Sequence, residues 1–340
     1  MKAFLDPRQS RHDPRMFLKA GVPRPNPEAP GRVDRLREGA LAAGCTLVAP
    51  RDNGSGPIAA IHPAEYLDFL ATAHDRWQSV DGASDEVIPN VHPSRHAGSR
   101  PDGIVGQAGW HMADTACPIA ADTWTSAYWS AQTALGAADA ALQDGVAYAL
   151  CRPPGHHAFA DMAGGFCFLN NAAIAAQSLT TQGRRVAIID IDVHHGNGTQ
   201  GIFYQRGDVL TVSVHADPAA FYPFFWGHAH ERGAGPGEGA NLNLPLPFGT
   251  GDDGFLAAVE TACGRIALFG ADSLVVSLGL DAHEGDPFRA LAVTTPGFSR
   301  IAARLADLRL PSVLVQEGGY LQPALGDNLA HFLTGWSTAP

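Results

Sequence analysis

The hydrophobic and polar positions of the chain follow two alternating rhythms. Short, nearly continuous apolar runs at 3–5, 46–49, 146–151, 186–193, 209–215, 273–280 and 311–316 have the length of buried strands. Between them, apolar residues recur three and four apart. That spacing predicts helices over 32–43, 62–77, 123–142, from 170 or 171 to about 181, 199–204, 252–269, 301–308 and 324–333. Val33, Leu36 and Ala40 mark the first of these, with Gly44 placed as its C-cap. Tyr66, Leu67, Leu70 and Trp77 form the apolar side of the second. Two segments keep neither rhythm. Residues 6–30, rich in Pro and Arg, read as a long surface loop at the rim of a site. Residues 79–120 are dominated by Asp, Ser, Pro, Gly and His. A loop that long inside a compact domain is uncommon and often functional; the alternative is a disordered insertion. Trp110, His111 and Ile119 give it material for anchoring, including against another subunit.

Strands alternating with helices predict an α/β fold, a mainly parallel sheet covered on both faces. In such folds ligands gather outside the carboxyl ends of the strands. Four predicted strand ends carry unusual polar residues: His156 and His157; Asp190, Asp192 and His194; Asp281; and Tyr320. No internal repeat or linker divides the chain, so residues 1–340 read as one domain with a loop insertion at about 79–120.

Composition narrows the function classes. The net charge of −11 disfavours nucleic acid and anionic membrane surfaces as partners. With 17% charged residues the chain is not of the disordered class. Its five cysteines are scattered without a CxxC pair and read as reduced core residues of a cytoplasmic protein. The first residues lack the apolar stretch of a signal peptide, and no run of about 20 apolar residues spans a membrane.

The chemistry concentrates at Asp192, His194 and Asp281, two oxygen donors and one nitrogen. Catalytic zinc sites keep three protein ligands and leave a position open. On a strand, residues two apart face the same way, which would pair Asp192 with His194 and turn His195 to the other side. The same donor set also accepts Fe2+, Co2+ or Mn2+. His156 and His157 follow a rigid Pro-Pro-Gly turn; one suits a general base and the other a charged stabiliser. Their tautomers need partners, for which Asp190 and Asn197 are available. Tyr320, after two glycines, suits an oxyanion donor; the alternative is an ordinary turn tyrosine.

RPPGHH, GGFCFLNN, DIDVHHGNGTQ, SLGLDAHEGDP and QEGGY, in this order, resemble the histone deacetylase superfamily. The likeness is strongest to bacterial acetylpolyamine amidohydrolases and class II-like deacetylase homologues. It covers the chain from about residue 146 onward, with weaker likeness in EAPGRVDRL and HPAEYLDFL. The resemblance implies the arginase–deacetylase fold with an eight-stranded parallel sheet. It implies Zn2+ on Asp192, His194 and Asp281, and hydrolysis of an acyl-amine bond by metal-activated water. His157 would be general base and acid, His156 an electrostatic partner and Tyr320 the oxyanion donor. It implies K+ near Asp190, Asp192, His194, Ser213 and Val214, and a second such site near Phe203, Arg206 and Val209. Phe166, Tyr222, Gly165, His283 and Gly318 would line the substrate tunnel.

Substrate is less defined. In polyamine-directed relatives the long loop carries acids at a narrow entrance. Here Val105 and Ala116 fall where glutamates are usual, with Asp102 and Asp114 nearby but shifted. The 224–231 segment makes the rim aromatic and His-rich. A small acylated amine such as an acetylpolyamine is the first reading, acting in a homodimer. Protein acetyl-lysine or an uncharged small amide is the alternative. A catalytically silent ligand-binding homologue is the alternative of another class, against which His156, His157 and Tyr320 together argue.

Overall fold

The apolar runs become the strands of a parallel sheet. The computed structural model describes residues 1–94 and 98–338. Its strands are β1 (Lys2–Phe4), β2 (Met16–Lys19), β3 (Val22–Pro25), β4 (Thr46–Val48), β5 (Val146–Ala149), β6 (Val186–Asp190), β7 (Val209–Ala216), β8 (Asn241–Leu246), β9 (Ser273–Leu278) and β10 (Ser312–Gln316). Its helices are α1 (Gly31–Ala42), α2 (Gly56–Ala59), α3 (Ala64–Trp77), α4 (Ile104–His111), α5 (Thr123–Asp144), α6 (Asn171–Thr181), α7 (Asn197–Phe203), α8 (Asp252–Phe269), α9 (Thr295–Ala306) and α10 (Leu325–Ser337). The main sheet has eight strands in the order β4-β1-β5-β10-β9-β6-β7-β8, and every neighbouring pair in it is parallel.

Side chains along each central strand alternate between two cores, as the two-residue period requires. Ile188, Val275 and Val313 enter a core shared with α3, α5 and α6. Ala187, Ile189, Leu274, Val276 and Leu314 enter a second core shared with α1, α8, α9 and α10. Alanines dominate the buried face of α5, so this long helix can lie close to the sheet. At Gly136 even a Cβ atom would come within 2.9 Å of Phe4. The Asn170 side chain accepts a hydrogen bond from the Ala173 N–H and starts α6.

Four sequence expectations change. Residues 6–30 are not a plain loop: after a short 3-10 turn, β2 and β3 form an antiparallel hairpin. Within 79–120, α4 forms and Val87 bridges Ile119; residues 95–97 of that segment lie outside the described residues. The edge strand β8 goes unpredicted because Asn241-Leu242-Asn243-Leu244-Pro245-Leu246 alternates polar and apolar and contains a proline, which only an edge tolerates. Its buried asparagines are satisfied: Asn241 and Asn243 both donate to Gln200 Oε1, at 3.0 and 2.8 Å. Finally, β6 stops at Asp190, so Asp192 and His194 stand in the loop beyond it.

Among the described residues no helix is long and apolar enough to cross a membrane.

Candidate active site

The strand order decides where the polar strand ends meet. β5, β10, β9 and β6 are consecutive in the sheet, so the segments leaving their carboxyl ends converge. These are the segments that carry His156 and His157, Tyr320, Asp281, and Asp192 with His194.

Asp192, His194 and Asp281 are all buried and each offers one ligand atom within 4.8 Å of the others. His194 Nδ1 lies 3.1 Å from Asp192 Oδ1 and 3.3 Å from Asp281 Oδ2. A local loop, not strand periodicity, brings the first two together: the His194 N–H donates to Asp192 Oδ1 at 2.9 Å, and the Asp192 N–H to Asp190 Oδ1 at 3.0 Å. The outer carboxylate oxygens are anchored by backbone. Gly318 N–H donates to Asp192 Oδ2 at 2.8 Å and Val193 N–H to Asp281 Oδ1 at 3.0 Å. Gly318 has to be glycine for this approach, because a Cβ there would sit 2.1 Å from Asp281 Oδ2 and 2.4 Å from Asp192 Oδ2.

The donor set fits a divalent cation. Asp281 Oδ2 is buried without a hydrogen-bond donor and points at His194 Nδ1. Burial and the Asp192 charge push the Asp281 carboxyl up to about 6. Burial also opposes the Asp192 charge, yet His156 and His194 hold that group well below the usual carboxylate range. Burial disfavours a charged His194, but the adjacent Asp192 and Asp281 carboxylates raise it to about 9. Ligation requires an unprotonated imidazole, so a cation held here would displace the proton that the two neighbouring carboxylates favour on His194. His156, Cys167 and Glu317 form a second close trio. It is poorly suited to an ion, because His156 is engaged by Asp190 and burial drives the Cys167 thiol pKa far up.

The two histidines are held in opposite states. His156 donates from Nδ1 to Asp190 Oδ2 at 2.8 Å. Burial opposes its charge, but Asp190 and Asp192 raise it to about 10. His157 donates from Nδ1 to Asn197 Oδ1 at 2.7 Å, which leaves Nε2 as the unprotonated nitrogen. Burial first, then the charges on His156 and His194, keep His157 well below its ordinary value. The rings lie 4.0 Å apart, and His157 is 5.8 Å from His194. Glu317 fixes the turn itself by accepting from the Gly155 and His156 N–H groups at 2.6 and 3.0 Å.

Tyr320 reaches the same centre. Its backbone N–H donates to Asp286 Oδ2 at 3.0 Å, and its ring packs against Phe288 at 4.9 Å and Phe166 at 5.8 Å. Beneath it lies a buried cluster that local sequence pattern does not reveal. Arg32 donates to the Gly319 and Glu317 carbonyls, both at 2.6 Å, and to Glu28 Oε1 at 2.6 Å. Arg152 donates to the same Glu28 oxygen at 2.9 Å. Glu28 therefore joins the turn carrying Tyr320 to the turn carrying His156 and His157. Every member is fully buried.

The tunnel expectations divide. Tyr222 stands edge-on to His157 at 4.9 Å, and a Cβ on Gly165 would come within 2.4 Å of the His157 ring. Phe166 and Gly318 also border the centre. His283 does not join them: it bonds Gln322 at 3.0 Å and stacks on Phe298. Phe221 and Phe288 do, packing on His194 at 4.8 and 4.9 Å. Both sit in turns with no periodic signal. From the long loop, Asp114 reaches the wall, where it accepts from the Tyr222 hydroxyl at 2.6 Å and the Gly165 N–H at 3.1 Å. His195 turns away to Gln200 and His215.

Of the residues expected around monovalent cations, Asp190 pairs in register with Ser213, next to Val214, while Asp192 and His194 follow Asp190 in the loop. Phe203, Arg206 and Val209 lie on the turn from α7 to β7, where Arg206 N–H donates to the Phe203 carbonyl at 2.9 Å.

Comparison with known proteins places this geometry. The model of the histone deacetylase domain matches residues 26–336. The acetylpolyamine amidohydrolase of Burkholderia pseudomallei is 48% identical over 339 residues, covering 99% of this chain and 98% of that one. The acetylpolyamine amidohydrolase of Mycoplana ramosa is 42% identical, covering 91% of each. A crystal structure of acetylpolyamine aminohydrolase from Burkholderia pseudomallei superposes with a TM-score of 0.96 at 47% identity, covering 100% of this chain and 99% of that one.

Proposed function

The chain belongs to the histone deacetylase family and is a hydrolase of amide bonds, and from that premise we propose that it removes acetyl or other short acyl groups from small amines, the class that includes acetylpolyamines. The whole chain is taken as one catalytic domain. The observation that carries the reading is the hydrogen bond from His157 Nδ1 to Asn197: it leaves Nε2 free as a base beside a trio of metal-ligating groups.

Asp192, His194 and Asp281 would hold Zn2+, although the same donors admit Fe2+ or Co2+. When bound, the ion supplies Lewis-acid polarisation of the acyl carbonyl and activation of water. The chain's own groups do the rest. His157 Nε2 takes a proton from the attacking water and returns it to the leaving nitrogen. His156, kept cationic by Asp190, lies where negative charge develops. The Tyr320 hydroxyl donates to the carbonyl oxygen as it becomes an oxyanion. Phe166 and Tyr222 flank the acyl-amine chain, and Gly165 and Gly318 leave room for it. K+ bound near Asp190, Ser213 and Val214 would brace the loop that carries Asp192 and His194, and a second ion near Phe203, Arg206 and Val209 the start of β7.

Acetate release by the zinc-loaded protein from acetylated diamines, polyamines, neutral amides and acetyl-lysine peptides tests the reading. Turnover of the small amides is expected; strong preference for an intact peptide would overturn it. The working unit is read as a cytoplasmic homodimer, supported by the resemblance and the long 79–120 segment. A monomeric mass in solution contradicts the dimer.

A further inference from the structure

Two glycines precede Tyr320, so no side chain at those positions helps to place it. Gly319 takes a φ of 108°, a conformation that residues with a Cβ rarely adopt. A Cβ there would also meet Leu280 Cβ at 2.8 Å. The direction of the Tyr320 side chain is therefore set by the peptide group that joins Gly319 to Tyr320, and by the rings around it. That one peptide group is held at both edges. Its carbonyl accepts from Arg32 Nε at 2.6 Å, and its N–H donates to Asp286 Oδ2 at 3.0 Å. Arg32 and Asp286 are both fully buried, so neither bond competes with bulk water.

The other oxygen of Asp286 holds the neighbouring ring. Asp286 Oδ1 accepts from the Phe288 N–H at 2.9 Å. The Phe288 ring packs on Tyr320 and on His194, each at 4.9 Å. One carboxyl group thus fixes both the backbone of Tyr320 and the ring against which its own ring rests. Asp286 has a firm base: its N–H donates to the His283 carbonyl at 3.0 Å, and His283 is bridged to Val293. Asp286 lies on the segment after β9 that also carries Asp281, whereas Tyr320 follows β10. The carboxyl group therefore ties the hydroxyl-bearing turn to a ligand-bearing one. An oxyanion donor is effective only when it stands about 3 Å from the developing charge, so a fixed spacing between these two segments bears directly on turnover.

We propose that Asp286 is a positioning residue for Tyr320. It sets where the tyrosine hydroxyl stands relative to Asp192, His194 and Asp281, without supplying a ligand atom to that trio. This rests on the amide-hydrolase reading above, in which Tyr320 donates to the oxyanion, and names the group on which that role depends.

A double-mutant cycle on the zinc-loaded protein, with N-acetylcadaverine as substrate, tests it. Asp286→Ala is expected to lower kcat by roughly ten- to a hundredfold, with KM within about threefold and zinc content unchanged. In the Tyr320→Phe background the same substitution should cost less than about twofold, because the hydroxyl it positions is gone. Asp286→Asn keeps the size of the side chain and one acceptor oxygen. It should fall between the unsubstituted protein and Asp286→Ala, and it carries the cycle if the alanine variant does not fold. Unchanged kcat in Asp286→Ala, or equal losses in the two backgrounds, overturns the inference and leaves amide hydrolysis standing. Zinc content that falls in step with turnover also overturns it, by assigning Asp286 to the shape of the metal site. Full turnover in Tyr320→Phe overturns the oxyanion role of Tyr320 and this inference with it. Failure of the unsubstituted protein to hydrolyse N-acetylcadaverine, neutral amides and acetyl-lysine peptides overturns the amide-hydrolase reading itself.

Discussion

At the scale of single residues, the site works by giving neighbouring groups different protonation states. Asp190 and Asn197 both accept from a histidine Nδ1, but one acceptor is charged and the other neutral. Both rings are buried, which lowers each; the Asp190 and Asp192 charges overcome this at His156 and keep it cationic, while the charges on His156 and His194 add to it at His157 and keep it a base. Tyr320 is set apart in another way, since it contributes a hydroxyl and no ligand atom to the trio. Tyr320→Phe is therefore expected to keep its metal content while kcat falls by about 10²–10³. Metal analysis beside steady-state kinetics checks both halves; unchanged turnover removes Tyr320 from the chemistry. These residue identities were legible in the sequence because each sits in a dense motif. The participation of Phe221 and Phe288 was not, because nothing local distinguishes a turn phenylalanine that packs on a ligand from one that faces solvent.

Among the elements, the decisive object is the buried Arg32–Glu28–Arg152 cluster. It couples the start of α1 to the segments after β5 and β10. A buried carboxylate between two guanidinium groups is costly to break, because removing it leaves two charges in a dry interior. Burial opposes the Glu28 charge, yet Arg152 and Arg32 hold its carboxyl below the usual range. Glu28→Gln should destabilise the fold by about 3–5 kcal/mol in denaturant titrations, and the protein that remains folded should lose kcat more than it gains in KM. An unaltered denaturation midpoint would show that the backbone carbonyls alone hold both arginines. The residues of this cluster appear in EAPGR and RPPGHH, but their pairing across 124 positions does not follow from either motif. The hairpin β2–β3 is a similar case. Its prolines and arginines suggested a loop, and pairing between two exposed strands is decided by register rather than by an apolar period.

Across the whole molecule, interior histidines link stability to pH away from the catalytic centre. His62 donates from Nδ1 to the Ala160 carbonyl at 2.8 Å and accepts the Asn170 N–H on Nε2 at 2.9 Å. Both nitrogens are used by the neutral ring, and burial lowers its pKa to about 4. An unfolded chain protonates this histidine below about pH 6.5, whereas the folded protein resists. Stability is thus complete above pH 6.5 and declines as pH falls toward 4, by roughly 3 kcal/mol from this group. Unfolding measured from pH 7 to 4 should show that slope, and His62→Gln should flatten it; an identical slope in the variant would assign the loss elsewhere. The sequence by itself determined the alternation of strand and helix, the motifs and the residue types of the site, because hydrophobic period and turn chemistry are local properties. The tertiary structure decided what meets what. The strand order set β5, β10, β9 and β6 side by side, a loop beyond β6 turned Asp192 and His194 toward Asp281, and Glu28 met Arg152 from 124 positions away. Those contacts join residues far apart in the chain, and no local pattern encodes which distant partner will satisfy a buried charge.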